Sequence, residues 1–251
     1  MLEADLGIFQ LSLKNRIIPS CELLKSVLKD NVSVIVAVKR NLRLFRNDLS
    51  KTLIPNVNLL LNLGVPECRI LVMLRDQTGI LIQPTEKFKA IIEEIKELGL
   101  VPEKKTFYDA IHLFYAQSKS TRKQKWELFK KWGWSDEEIL SAVRKHPFIL
   151  ITSEEKIERV MNFLVNKMGW SISQISYRPL VFMHSLENWT MPRCLVVKFL
   201  FSKGVLKKNL TLSSFIGTSE VNFRKRFMDE FCVDFPEVTT LYGGAKDNAE
   251  D

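Results

Sequence analysis

Lys39, Arg40, Arg43 and Arg46 stand close together in this chain. Similar clusters return at Lys119, Arg122, Lys123 and Lys125, at Arg144 and Lys145, and at Arg224, Lys225 and Arg226. The chemistry open to such groups at neutral pH is the pairing of permanent positive charge with phosphate oxygens. The composition leans the same way, with 37 Lys and Arg against 29 Asp and Glu in 251 residues. Residues 243–251 hold three of the acids and one lysine, so the rest of the chain carries about +10, which suits an anionic partner. Any one cluster is more often a solvated helix face than a binding site, and cations are favoured at helix C-termini by the dipole in any case. Recurrence at one point of a repeated unit is what argues for a binding edge.

Catalytic chemistry is poorly supplied. His112, His146 and His184 are the side chains suited to proton transfer near pH 7. Two of them occupy matching places in the repeat, before Pro147 and before Ser185, which suggests structure rather than catalysis. No Walker loop, GxSxG elbow, HExxH or dinucleotide fingerprint occurs. Cys21, Cys68, Cys194 and Cys232 form no CxxC pair and read as reduced, mostly buried thiols of a non-secreted protein. The expectation is a protein that is not an enzyme, with no metal site and no cofactor. No apolar stretch approaches the length of a membrane span, and no N-terminal apolar segment resembles a secretory signal.

The elements that must position the basic groups are set by glycine. Gly64, Gly99, Gly133, Gly169 and Gly204 are separated by 35, 34, 36 and 35 residues, and each closes an apolar stretch. A fixed period in the thirties is the mark of stacked supersecondary units. Glycine just past a helical run supplies the left-handed C-terminal cap. Pro66 and Pro102 then suit the first turn of a following helix, and Ser135 to Glu138 and Ser171 to Gln174 have capping-box spacing. A second register places Val38-Lys39-Arg40-Asn41 three periods before Val143-Arg144-Lys145-His146, with Arg75 to Lys87 in the same frame. Each stretch has a basic helix end, a break, a short apolar run and the polar start of another helix. Ile157, Val160, Met161, Leu164, Val165 and Met168 show helical spacing, as do Ile91, Ile92, Ile95 and Leu98. Val32 to Val38 would pass for a strand alone, but its place in the repeat predicts helix.

A third register links Ser12 to Pro19, Asp48 to Pro55 and Ser185 to Pro192. Together with His146-Pro147, Arg178-Pro179 and the Gly-Trp-Ser starts at 133 and 169, it resembles the mitochondrial transcription termination factor family, mTERF, in its large plant branch. The resemblance covers residues 6 to about 228. Pentatricopeptide repeats share the period, but prolines inside the unit at 55, 147, 179 and 192 fit a unit with a third, short helical piece better. Tetratricopeptide offsets cannot be aligned.

The resemblance implies an all-α, curved α-solenoid of two helices and a short 3₁₀ helix per unit, which binds nucleic acid along a basic concave surface and is not an enzyme. It implies work in mitochondria or chloroplasts on transcription, transcription termination, intron splicing or ribosome biogenesis. The partners would be double-stranded DNA, single-stranded RNA or both, of an organelle genome, with organellar proteins besides, no membrane, and a monomeric protein. Two departures stand out: no Arg/Ser-rich transit segment precedes residue 6, and the first unit opens in its second half. These point to a chain truncated at its N-terminus and put import and the N-terminal cap in question.

The expected organisation is a partial repeat at 1–30, a repeat array at 31–228, and a C-terminal segment at 229–251 with an acidic tail disordered from Gly243. Leu6, Ile8, Phe9 and Leu11 of the partial repeat lack the neighbour that would bury them, so this end should be loosest. The expected phosphate partners are Lys39, Arg40, Arg75, Arg144 and Lys145, which share one register, with Arg178 beside it and Arg193 after a helix-starting proline. Arg43, Arg46, Arg122 and Lys123 join them. The competing reading is a protein-binding scaffold in an organellar RNA-processing assembly, whose basic residues only keep it soluble.

Overall fold

A computed structural model describes residues 10–206 and 210–247, and every regular element among them is helical. The chain divides into two compact units, Met1–Ala116 and Gln117–Asp251. Leu6, Ile8 and Phe9 lie outside the described residues, while Leu11 is half-buried.

The repeat is visible element by element. Helices Asn31–Arg40, Glu67–Asp76, Asp136–Lys145 and Ile172–Tyr177 each end on a break residue, respectively Asn41, Gln77, His146 and Arg178. Asn41 (φ −148°, ψ 86°) and His146 (φ −146°, ψ 87°), three periods apart, have nearly the same backbone. A short helix follows each break: Leu42–Arg46, Thr78–Leu81, Pro147–Ile151 and Pro179–Phe182, of which all but Thr78–Leu81 are 3₁₀. Each buries an apolar pair, Leu44 and Phe45, Ile80 and Leu81, Ile149 and Leu150, or Val181 and Phe182. Burial of about 1.5–3 kcal/mol per side chain anchors a turn too short to be stable alone.

In the third repeat the short helix is missing. Helices Lys105–Ala116 and Lys119–Lys131 are joined directly through Gln117 and Ser118, because this junction carries no apolar pair to bury. The division between the two compact units falls here.

The second helices of the units end as the glycine register predicts. All five glycines have φ between 73° and 87°. The residue after each cap closes the turn, as in Val65 N–H to Leu60 O (3.0 Å) and Trp134 N–H to Phe129 O (3.2 Å), and both side chains are buried. The boxes at Ser135 and Ser171 are formed on both sides. Val32 to Val38 is helical. Pro66 and Pro102 depart from expectation. Pro66 is the N-cap rather than a first-turn residue, and Pro102 sits in a turn closed by Lys104 N–H to Val101 O at 3.0 Å, before the helix begins.

The third register is a device for carrying proline near a helix start. Ile17 N–H bonds Ser12 O (3.2 Å), Ile54 N–H bonds Leu49 O (3.2 Å), and Thr190 N–H bonds Ser185 O (3.1 Å), each spanning five residues just before Pro19, Pro55 or Pro192. The widened turn makes room for a ring that would clash with an ordinary one. Ser12 and Ser185 cap these turns by accepting from Asn15 and Asn188 N–H.

A sixth member of the glycine register was hidden by its side chain. Lys29 stands 35 residues before Gly64, caps helix Ile18–Leu28, and has φ 63°. A non-glycine residue in this region is strained by about 1–2 kcal/mol, whereas the exposed ion pair of Lys29 with Glu67 (2.7 Å) contributes at most about 1 kcal/mol. The first term wins, less the flexibility that glycine adds to the unfolded chain. Lys29→Gly should therefore raise the urea midpoint, by about 0.5–1 kcal/mol in stability. An unchanged or lowered midpoint would show that the left-handed cap is relaxed.

The C-terminal helix Glu237–Asp247 corrects the expected disorder for residues 243–247. Val238 and Tyr242 are buried one turn apart, and the helix packs on Met191–Ser202. Once those two side chains are anchored, propagating the helix further costs little. Residues 248–251 lie outside the described residues.

Candidate nucleic-acid interface

In the first unit the helix ends Arg40 and Arg75 converge on one carboxylate. Arg75 Nε and Nη2 bond Asp76 at 3.0 and 2.8 Å, and Arg40 Nη2 lies 3.6 Å from the same group. The Arg75 hydrogen bonds hold Asp76 below the usual carboxylate range. Arg40 Nη1 also reaches the backbone oxygen of Asp76 at 3.4 Å. Lys39 and Arg40 end one helix, Arg43 and Arg46 follow on the short 3₁₀ helix, and all four are exposed, as is Arg75.

The second unit repeats the construction with different residues. Lys145, the counterpart of Arg40, donates to the last carbonyl of the next first helix, Tyr177 O, at 3.1 Å. Its ammonium also lies 4.1 Å from the centre of the Tyr177 ring. Arg144 and Lys145 are exposed and Arg178 half-buried. Both units thus place a cation one residue before the break and lean it over the neighbouring helix terminus, where the dipole favours it.

Three expected contacts are corrected or weakened. Arg122 is 7% exposed, and its Nη1 donates to Gln117 O at 2.6 Å. On the same helix Lys125 turns inward to Glu154 (3.4 Å) while Lys119 and Lys123 face out, so one cluster in sequence is divided between inside and outside. Arg178 is pressed against the backbone at Gly217. A Cβ there would lie 1.8 Å from its Nη2, so most of this guanidinium is spent on packing.

Arg193 is wholly buried. Its Nη1 donates to Phe215 O (2.9 Å) and Thr218 O (2.7 Å), and its Nη2 to Glu220 (3.1 Å), whose carboxylate also accepts from Tyr242 Oη (2.5 Å). The guanidinium stacks between Trp189 (3.5 Å) and Phe223 (4.6 Å). It is a clamp on the carbonyls that end the short helix Ser213–Ile216, not a phosphate ligand. Asn56, likewise one residue past a register proline, clamps Leu81 O and Gln83 O at 2.9 Å each. Three residues before their prolines, Arg16 bonds Phe45 O and Arg46 O, and Trp189 bonds Ile216 O. These clamps were missed by sequence reasoning, although the positions flanking Pro19, Pro55 and Pro192 carried the signal. Asn56 at the place of Arg193 implies hydrogen bonding rather than charge.

A family model for mTERF matches residues 5–224. The chain belongs to the mTERF family. Two proteins of Arabidopsis thaliana are similar to parts of it. Transcription termination factor MTERF15, mitochondrial, is 29% identical over 118 residues, which cover 47% of this chain and 26% of that protein. Transcription termination factor MTEF18, mitochondrial, is 32% identical over 88 residues, covering 35% of this chain and 16% of that protein.

Two titratable side chains of this mTERF chain lie beside the Arg193 clamp. His184 stacks on Trp189 with ring centres 4.9 Å apart. Its pKa is lowered, first by burial and then by Arg193, Arg178 and Lys156. Tyr242 is pushed up to about 12, by burial first and by its hydrogen bond to Glu220 second. Among the described residues no group of three or more His, Cys, Asp or Glu could hold a metal ion, and no helix is long and apolar enough to cross a membrane.

Proposed function

We propose that this mTERF protein binds nucleic acid of an organelle genome and regulates its expression, through transcription, termination, intron splicing or ribosome biogenesis. The observation that carries the reading is the repeated placement of an exposed cation one residue before the break, Arg40 in one unit and Lys145 in the other, in a chain of this family. Lys39, Arg43, Arg46, Arg75, Lys123 and Arg144 add exposed charge beside them or on neighbouring helix faces. The mitochondrial names of both relatives support the mitochondrion over the chloroplast. The protein acts as a binding module rather than as an enzyme.

Binding to short duplex DNA and single-stranded RNA, followed across about 50 to 200 mM salt, tests this. Logarithmic affinity should fall linearly with logarithmic salt, by about 0.9 per phosphate contact on duplex and about 0.7 on single strands. A folded protein that binds neither would favour the scaffold reading.

A further inference from the structure

The first unit contains a cavity that the basic helix ends do not explain. It measures about 250 Å³ and opens where the two breaks at Asn41 and Gln77 meet helix Lys105–Ala116, which contributes His112 and Tyr115. We propose that this cavity holds one unpaired nucleotide of a bound single strand, with its base against Tyr115, Asn41 and Gln77 and its phosphate toward Arg40. The inference rests on the nucleic-acid reading above and narrows it to a strand form and a place.

The lining has the parts that a base needs. Tyr115 is a large aromatic left 38% exposed at a helix end, its hydroxyl accepting from Gln83 Nε2 at 3.5 Å. A base stacks on such a ring whatever its identity. Asn41 uses its side-chain oxygen to accept from Arg43 N–H, which leaves its NH₂ as a donor toward ring nitrogens and carbonyls. Gln77 is exposed and offers both a donor and an acceptor, the pair that can bridge a base edge. Gly79 keeps the floor of the cavity tight and bare. A Cβ on it would come 3.2 Å from both Asn41 Nδ2 and Tyr115 Oη, closer than side chains ordinarily approach.

The charge at the rim is arranged for one phosphate rather than for a cation. Asp76 is the acid of the lining, and it is held ionised between Arg75 and Arg40. Arg40 keeps 56% of its side chain exposed while touching it. A base within duplex DNA has its pairing edge covered and its faces stacked, so it cannot enter without being unpaired. The cavity therefore favours a strand whose bases are already free.

The test compares oligoadenylate with an abasic strand of equal phosphate count. The wild-type protein should bind the oligoadenylate more tightly. Tyr115→Ala and Gln77→Ala should each reduce that preference, Tyr115→Ala by about tenfold, while affinity for the abasic strand stays constant. Tyr115→Phe keeps the ring and should keep the preference. Gln77 is exposed at a helix end, so Gln77→Ala provides a folded variant should Tyr115→Ala lose structure. Free adenosine monophosphate should compete only weakly, since the strand is held by other phosphates too, and full competition at equal concentration would identify a free-nucleotide site instead. If the variants weaken both strands equally, or neither, the cavity proposal is overturned while nucleic-acid binding stands. If the wild-type protein binds no strand and no duplex, both readings fall.

Discussion

Replacing Arg193 by alanine should destabilise the protein by about 3–5 kcal/mol, enough to lower its unfolding midpoint steeply and to leave much of it unfolded at physiological temperature. The size follows from burial. An exposed ion pair is typically worth no more than about 1 kcal/mol, but Arg193 is fully enclosed, and its loss takes a donor from three acceptors at once. Thr218 O loses its donor, Phe215 O keeps only the Thr218 hydroxyl, and the Glu220 carboxylate keeps Tyr242 and Arg224 but loses its buried cation. The stack between Trp189 and Phe223 is emptied as well. Arg193→Met retains most of the volume without the donors and should recover only part of the loss. Urea unfolding followed by circular dichroism measures both variants. A loss below about 1 kcal/mol for Arg193→Ala would mean that the clamp is not what holds the short helix.

The contrast between Arg193 and Lys145 shows what was legible in the sequence. Periodicity located the units because each glycine must reach the same left-handed conformation, and because Ser135 and Ser171 must cap the same helix start. Lys29 escaped because a conformation can recur where the residue type does not. Side-chain direction was less accessible. Arg122 and Lys123 are adjacent in sequence, yet one is buried and the other exposed, since successive positions on a helix point about 100° apart. Arg193 looked like its basic neighbours in composition, and only the proline register, which aligns it with Asn56, could have marked it as a clamp. The cavity at Tyr115 could not be read at all, because it is assembled from residues 40 to 115 by the stacking of successive units.

Changing Arg40, Arg144 and Lys145 together to alanine should weaken binding to every nucleic acid, with little effect on folding. All three side chains are exposed. Arg75 continues to pair with Asp76 when Arg40 is gone, and water can replace Lys145 at Tyr177 O, so the stability cost should stay near that of surface contacts, about 1 kcal/mol or less. Binding should respond far more. Three phosphate contacts on duplex DNA contribute about 2.7 units to the logarithmic salt slope, so between about 50 and 200 mM salt they account for roughly a 40-fold change in affinity. The triple variant should lose that part of the salt dependence and bind most weakly, relative to wild type, at low salt. Its preference among sequences should barely move, since phosphate contacts position a protein without identifying bases. The preference for base-bearing over abasic strands should survive in part through Tyr115 and Gln77, which separates the phosphate function of the helix ends from the cavity of the first unit. A normally folded triple variant with unchanged affinity and salt slope would assign these cations to their helix termini alone and transfer the case to a protein partner.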